Sequence, residues 1–183
     1  RETEEELRHS REQLSMAVEG GNIGTWNWDL ETDRVVFNRQ WAEMLGYSRD
    51  ELDFHFSVWE ELVHPDDLPR AMKVLEAYLE GHSDTYNPEI RMRTKSGDWK
   101  WIQAIGKVLE RDEEGTPTRA AGIHLDIDER KRAEQALKER EAQLRGLTNS
   151  IPGVVFQSYA RPGPEYGFYH VSKHAEDILG IPR

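Results

Sequence analysis

Chemistry in this chain would have to come from its histidines and carboxylates, because it contains no cysteine. Without a thiolate there is no disulfide framework, no sulfur-ligated zinc site, no cysteine nucleophile and no cysteinyl adduct. His64 stands directly before Pro65, Asp66 and Asp67, where a turn at a helix start is a sufficient role for it. His55 and His124 have carboxylates only two residues away, Asp53 and Asp126, which is not metal-ligand spacing. No nucleophile, base and oxyanion donors assemble along the sequence, and no glycine-rich nucleotide loop occurs. The reading is therefore no catalytic centre and no metal site in this segment.

What remains is an aromatic and apolar set: Trp28, Phe37, Trp41, Met44, Trp59, Met72, Ile90 and Trp101. Side chains of this kind line cavities that take small molecules, and they equally well fill a core. Over 183 residues, 37% hydrophobic and 32% charged side chains suffice for one compact core but not for a chain buried from end to end. The formal net charge of −11 opposes any nucleic-acid role, since phosphate binding draws its strength from Lys and Arg. No apolar run approaches the roughly 20 residues that a bilayer span needs. With the missing cysteines, this points to a cytoplasmic setting. The first residue is Arg1 and the last segment stops just after an apparent helix, so both ends read as cuts in a longer chain.

The elements that position these residues emerge from an internal repeat. Leu7 and Leu14 correspond to Leu137 and Leu144, while Arg1, Glu4, Arg8 and Gln13 correspond to Lys131, Glu134, Lys138 and Gln143. The correspondence continues from Ile23-Gly24 to Ile151-Pro152 and from Trp41–Gly46 to Ala175–Gly180. Four segments follow: a helix over 1–18, a complete domain over 19–127, a linker helix over 128–147 and the start of a second copy over 148–183.

Within the complete copy, Ile23 to Leu30 and Arg34 to Asn38 read as a hairpin around Glu31-Thr32-Asp33. Trp41, Met44 and Leu45 form a short helix stopped by Gly46. Ser48 and Glu51 have capping-box spacing. Phe56 to Val63 is a further short helix, and Pro65 is expected to open a longer one ending at Gly81. Glu89 to Arg93, Trp99 to Arg111 and Thr116 to Ile127 are strands, the first with Ile90 and Met92 on one face. The order gives an α+β fold, an antiparallel sheet covered by helices on one side.

These segments resemble the PAS family with its PAC motif: Trp26–Leu30, Leu45-Gly46-Tyr47-Ser48 with Glu51-Leu52, Val63–Asp67, Glu89–Arg93, Gly97–Ile102 and Gly122–Lys131. The resemblance implies a five-stranded sheet in the order 2-1-5-4-3, with short helices on one face and linker helices at both ends. It also implies a sensory or regulatory module of a signal-transduction protein, a histidine kinase being the usual associate. Flavin-binding members that form a cysteinyl adduct need a cysteine, and haem-binding members commonly supply a histidine from the long helix. Residues 66–80 contain none, so neither cofactor is expected and none is identifiable. His9, followed by Ser10 and Arg11, lacks the acidic neighbour and nearby proline of a phospho-accepting histidine.

The resemblance places the signal path at the end of the last strand, where Asp128 stands in place of the usual threonine. Asp126 and Glu129 have capping-box spacing there. With Leu137 and Leu144 at heptad a, Ala133, Arg140 and Leu147 fall at d, a seam broken by charge. A weak homodimer through the linker helices is expected, against a monomeric amphipathic helix as the alternative. The expected function is an input module that answers an unidentified small molecule or neighbouring domain. A ligand-free dimerisation and spacing module is the other reading.

Overall fold

The computed structural model describes residues 2–83, 85–150, 156–160 and 166–171. The chain falls into two units, Arg1–Glu129 and Arg130–Arg183. The first opens with α1 (Glu2–Gly20), followed by β1 (Gly24–Asp29), β2 (Arg34–Phe37), α2 (Arg39–Met44), a 3₁₀ turn (Arg49–Glu51), α3 (Phe56–Leu62) and α4 (Leu68–Leu79). Then come β3 (Glu89–Arg93), β4 (Trp99–Arg111), β5 (Pro117–Asp126) and α5 (Asp128–Ser150), which runs across into the second unit. The second unit also holds the antiparallel pair β6 (Phe156–Ala160) and β7 (Tyr166–Val171). Ile151-Pro152 and Ala175–Gly180, on which the repeat was read, lie outside the described residues.

The five strands of the first unit form one antiparallel sheet in the order β2-β1-β5-β4-β3, as the resemblance implied. Asp29 turns the β1–β2 hairpin by accepting the N–H groups of Glu31 and Thr32 at 3.1 and 3.0 Å. One sheet face alternates into the core through Ile102 and Ala104 on β4 and Ala120 and His124 on β5. Over it pack Trp41 and Met44 of α2, Trp59 and Leu62 of α3, and Ala71 and Leu75 of α4. Asn38 joins the layers at one corner: its Oδ1 accepts the N–H groups of Thr25 and Trp41, and its Nδ2 donates to the carbonyl of Ile23.

The long helix departs from expectation, because it begins at Leu68 and has Pro69, not Pro65, in its first turn. Residues 65–67 form a turn instead, closed by the N–H of Asp67 donating to the carbonyl of His64 at 2.8 Å. The cause is a competing partner for Asp67. Its carboxylate takes the Arg91 guanidinium in a two-pronged pair at 2.9 and 2.8 Å and the Arg91 backbone N–H at 2.9 Å. The Arg91 guanidinium beside it holds the Asp67 carboxyl below the usual carboxylate range, and the pair fastens the start of α4 to β3.

Two facing glycines leave room on the middle of the sheet for a large ring. Gly106 on β4 pairs with Gly122 on β5, and the Trp26 indole lies across both. A Cβ on Gly122 would sit 2.0 Å from the carbonyl oxygen of Ile105 and 2.5 Å from Cζ2 of Trp26. Gly122→Ala is therefore expected to cost about 3 kcal/mol, the upper end for overpacking, since the nearest obstacle is backbone. Urea denaturation checks this: the midpoint falls with an unchanged slope.

Candidate functional site

A cavity of about 30 Å³ lies between the glycine-floored part of the sheet and the helices. From the sheet, Trp26 and Trp28 of β1, Val35 and Phe37 of β2 and His124 of β5 line it; from the helices come Phe56 and Trp59 of α3 and Leu75 of α4. Tyr86, which bridges to Gly106, closes one side. The ring faces are organised rather than jumbled. Trp28 stacks on Phe56 with centroids 4.4 Å apart and 10° between planes, and Phe56 tilts onto Trp59 at 5.3 Å. The volume has room for one or two water molecules.

The polar groups of the walls carry the most information. His124 is buried, and its Nδ1 accepts the indole N–H of Trp41 at 2.8 Å. An indole can only donate, so the proton of the neutral imidazole sits on Nε2. Burial pushes the His124 pKa down to about 3. Among the described residues, the buried side-chain N–H groups without a partner are the indole N–H groups of Trp26 and Trp28. Each such donor costs about 1–3 kcal/mol when left unmet.

Of the residues named from sequence, Trp28, Phe37 and Trp59 line the cavity. Trp41, Met44 and Ile90 are buried in the packed core around it, and Met72 packs half-buried against that core. Trp101 is placed differently, since Ile102 and Ala104 take the core face of β4 and leave Trp101 on the opposite face, where the Arg91 guanidinium lies 5.5 Å from its ring centre. The sequence reading missed Trp26, Val35, Phe56, Leu75, Tyr86 and His124. Strand alternation could have found two of them: Trp26 shares a face with Trp28, and His124 shares one with Ala120.

A second polar cluster joins the sheet to the linker helix. Asp126 pairs with Lys100 at 2.8 Å and accepts the N–H of Asp128 at 2.9 Å, a contact spanning two residues rather than the three of a capping box. Asp128 in turn accepts the backbone N–H of Trp101 at 3.0 Å, and the N–H of Ile127 donates to the carbonyl of Trp101. Glu129 follows in the first turn of α5, while Leu137 and Leu144 further along are each more than half exposed. Among the described residues, no helix is long and apolar enough to cross a membrane.

An antiparallel 2-1-5-4-3 sheet with helices on one face and a small aromatic cavity between the layers defines the class of α+β domain. Comparison with known proteins makes this specific. Residues 34–124 match the family model described as PAS fold. A solved sensory box histidine kinase/response regulator from Burkholderia thailandensis is 36% identical, with a TM-score of 0.64 and 73% of this chain and 98% of that chain covered. The sensor protein FixL of Bradyrhizobium diazoefficiens is 31% identical over 79% of this chain and 28% of its own length. A blue-light-activated histidine kinase of Brucella ovis is 30% identical over 81% of this chain and 29% of its own. This chain belongs to the PAS-fold family. It spans under a third of those two curated relatives.

The expectation about cofactors is corrected by the same comparisons. The relatives include a kinase activated by blue light, and a solved light-oxygen-voltage domain studied with a flavin analogue shares the fold at 22% identity and a TM-score of 0.51. Excluding a cysteinyl flavin and disfavouring haem is too narrow on physical grounds as well. A missing cysteine removes a covalent adduct but not a pocket that holds a ring by contact. The absence of a histidine from residues 66–80 does not leave the walls without one, since His124 lines the cavity from β5. The walls suit a flat aromatic ring. A flavin or haem would need a space of several hundred Å³, and so an outward shift of the helices.

The buried imidazole predicts a pH dependence. The unfolded ring titrates near 6.5 and the folded one near 3, so on acidification below about 6.5 the unfolded chain takes up a proton that the folded chain does not. Stability is complete above that pH and declines below it by up to about 1.4 kcal/mol per pH unit. The carboxyls of Asp67 and Glu51 are both lowered and act only below the ordinary carboxylate range. Between pH 7.5 and 5 the wild type is expected to lose about 2 kcal/mol through this one ring. His124→Gln, less stable at pH 7.5, should show that much less loss in urea melts across the interval.

Proposed function

We propose that this chain is the sensory input segment of a larger signal-transduction protein, in which a change in the core of the 19–127 domain passes to the helix that follows it. One observation carries the reading: the cavity and the linker junction share a strand. His124 lines the cavity, and two residues further along β5 Asp126 holds Lys100 and the N–H of Asp128. On the neighbouring strand, Trp101 is tied to both Ile127 and Asp128. A shift of β5 or β4 at the cavity therefore acts directly on the start of α5, a two-state element of the kind that signalling needs.

The parent protein in this proposal is cytoplasmic and carries tandem PAS domains, the second beginning at about residue 148, with a histidine kinase as the output domain outside this chain. The kinase names of two relatives support that output. Exposed Leu7 and Leu14 on α1 and Leu137 and Leu144 on α5 support a weak homodimer through the linker helices. The relative named for blue-light activation makes a light-absorbing occupant of the cavity one candidate, held without a cysteinyl bond.

In the parent protein, Asp128→Ala is expected to change ATP-dependent histidine phosphorylation at least about fivefold while the sheet keeps its melting temperature within a few degrees. Sedimentation of this chain should show reversible self-association at high concentration that Leu137→Glu with Leu144→Glu abolishes. Unchanged phosphorylation would favour a purely structural spacing module, and a monomer at every concentration would remove the dimer.

A further inference from the structure

The cavity walls differ from an ordinary apolar gap in one respect: their ring nitrogens are donors, and the Tyr86 hydroxyl beside them can donate or accept. The indole N–H groups of Trp26 and Trp28 are buried without partners, and the Trp28 side chain is more than nine-tenths buried. His124 has its acceptor nitrogen taken by Trp41, which leaves its other ring nitrogen as a donor too. Val35, Phe37, Phe56 and Leu75 contribute only apolar surface, and no carboxylate or side-chain amide lines the space.

We propose that this cavity selects an uncharged, flat aromatic molecule bearing a carbonyl-type oxygen, which accepts hydrogen bonds from the indole N–H groups of Trp26 and Trp28. The proposal rests on the sensory reading above and adds the chemical class of the occupant. An anion would bring a charge into a site with no cationic side chain on its walls, where charge is costly. A cation would meet aromatic faces but no carboxylate, with only a neutral hydroxyl, that of Tyr86, among the lining side chains to accept from it. A hydrocarbon would fill the space and leave both indoles unmet, whereas a carbonyl satisfies them and keeps the apolar contact.

Shape and size complete the specification. The parallel Trp28 and Phe56 rings form a flat wall that matches an aromatic plane. The present volume of about 30 Å³ takes no more than one or two waters, so such a molecule enters by moving Phe56 and Leu75 on the helix side. The floor under Trp26 cannot give way in the same manner, because Gly106 and Gly122 place backbone directly beneath it. Binding is thus felt as displacement of α3 and α4, whose thrust a sheet without slack passes along β4 and β5.

Three probes of nearly one shape test this on the full chain labelled with ¹⁵N: acetophenone, α-methylstyrene with CH₂ in place of the oxygen, and benzoate with a charge. The readout is the set of six indole N–H resonances, those of Trp26 and Trp28 being assigned with Trp26→Phe and Trp28→Phe. Acetophenone is expected to shift both resonances and to bind at least about tenfold more tightly than α-methylstyrene, with benzoate weakest. Each Phe variant, which keeps an aromatic ring, should narrow the preference to about threefold or less. Equal binding of ketone and hydrocarbon, or tightest binding of benzoate, overturns the acceptor selection while leaving ligand sensing intact. If no probe moves these resonances and both indoles instead show cross-relaxation with buried water, the cavity is a water site and the inference falls, leaving the sensory reading to rest on partner-driven change.

Discussion

The hydrogen bond from the Trp41 indole to His124 is the contact on which the rest of this domain depends. It joins residues 83 positions apart, one on a helix and one on the sheet, at a place where neither reaches water. Its effects run in both directions. On the helix side it seats the largest fully buried ring of the core, which also stacks on Phe37 at 3.9 Å. On the sheet side it fixes the tautomer of His124, whose burial keeps the imidazole neutral, so that the cavity wall offers a donor and no charge there. A buried polar pair of this sort stabilises only while both members are present, since removing one leaves the other unmet.

From that contact the architecture divides into a fixed part and a part free to respond. The glycine pair Gly106 and Gly122 brings Trp26 down onto backbone, leaving the middle of the sheet no slack. The helical layer is tied at α2 by Asn38 and Trp41, and at α4 by the Asp67–Arg91 pair, by Arg70 donating to the carbonyl of Glu89 and by the Tyr78 hydroxyl accepting the N–H of Val108. Between them α3 meets the cavity through aromatic faces alone, with Phe56 and Trp59 both on its walls. Apolar contacts have no directional requirement, so these rings can repack around a guest. The Trp101, Ile127 and Asp128 contacts lie on the rigid layer, and in the proposed mechanism a strain on β4 or β5 reaches α5 through them.

Much of the fold was legible in the sequence because local signals agreed with one another. Alternation in Glu89–Arg93 placed Ile90 and Met92 inward, and both are fully buried. Ser48 and Glu51 meet as their spacing predicted, with Glu51 also pairing with Lys95 at 2.6 Å. The start of α4 was not legible, because Pro65 gives a sound helix signal that a pairing 24 residues away overrides. The site was harder still. Trp101 looked like a cavity residue on composition, yet its position in the strand sets it outside, while Tyr86 comes from a segment with no strand period at all. His124 was weighed only as a metal ligand, and nothing near it in sequence announces Trp41. A cavity is assembled from long-range packing, and the local sequence carries little of that.

In the proposed mechanism the state of the cavity is read at the junction of β5 with α5, and residue-resolved hydrogen exchange reports on both ends of that path. Leu75→Ala changes the cavity from the helix side without touching the junction. Exchange at the amides of Trp101, Ile127 and Asp128 is expected to change at least about fivefold in that variant, while amides pairing β1 with β2 stay as they were. Equal exchange at the junction in wild type and variant, with the cavity demonstrably enlarged, would contradict it.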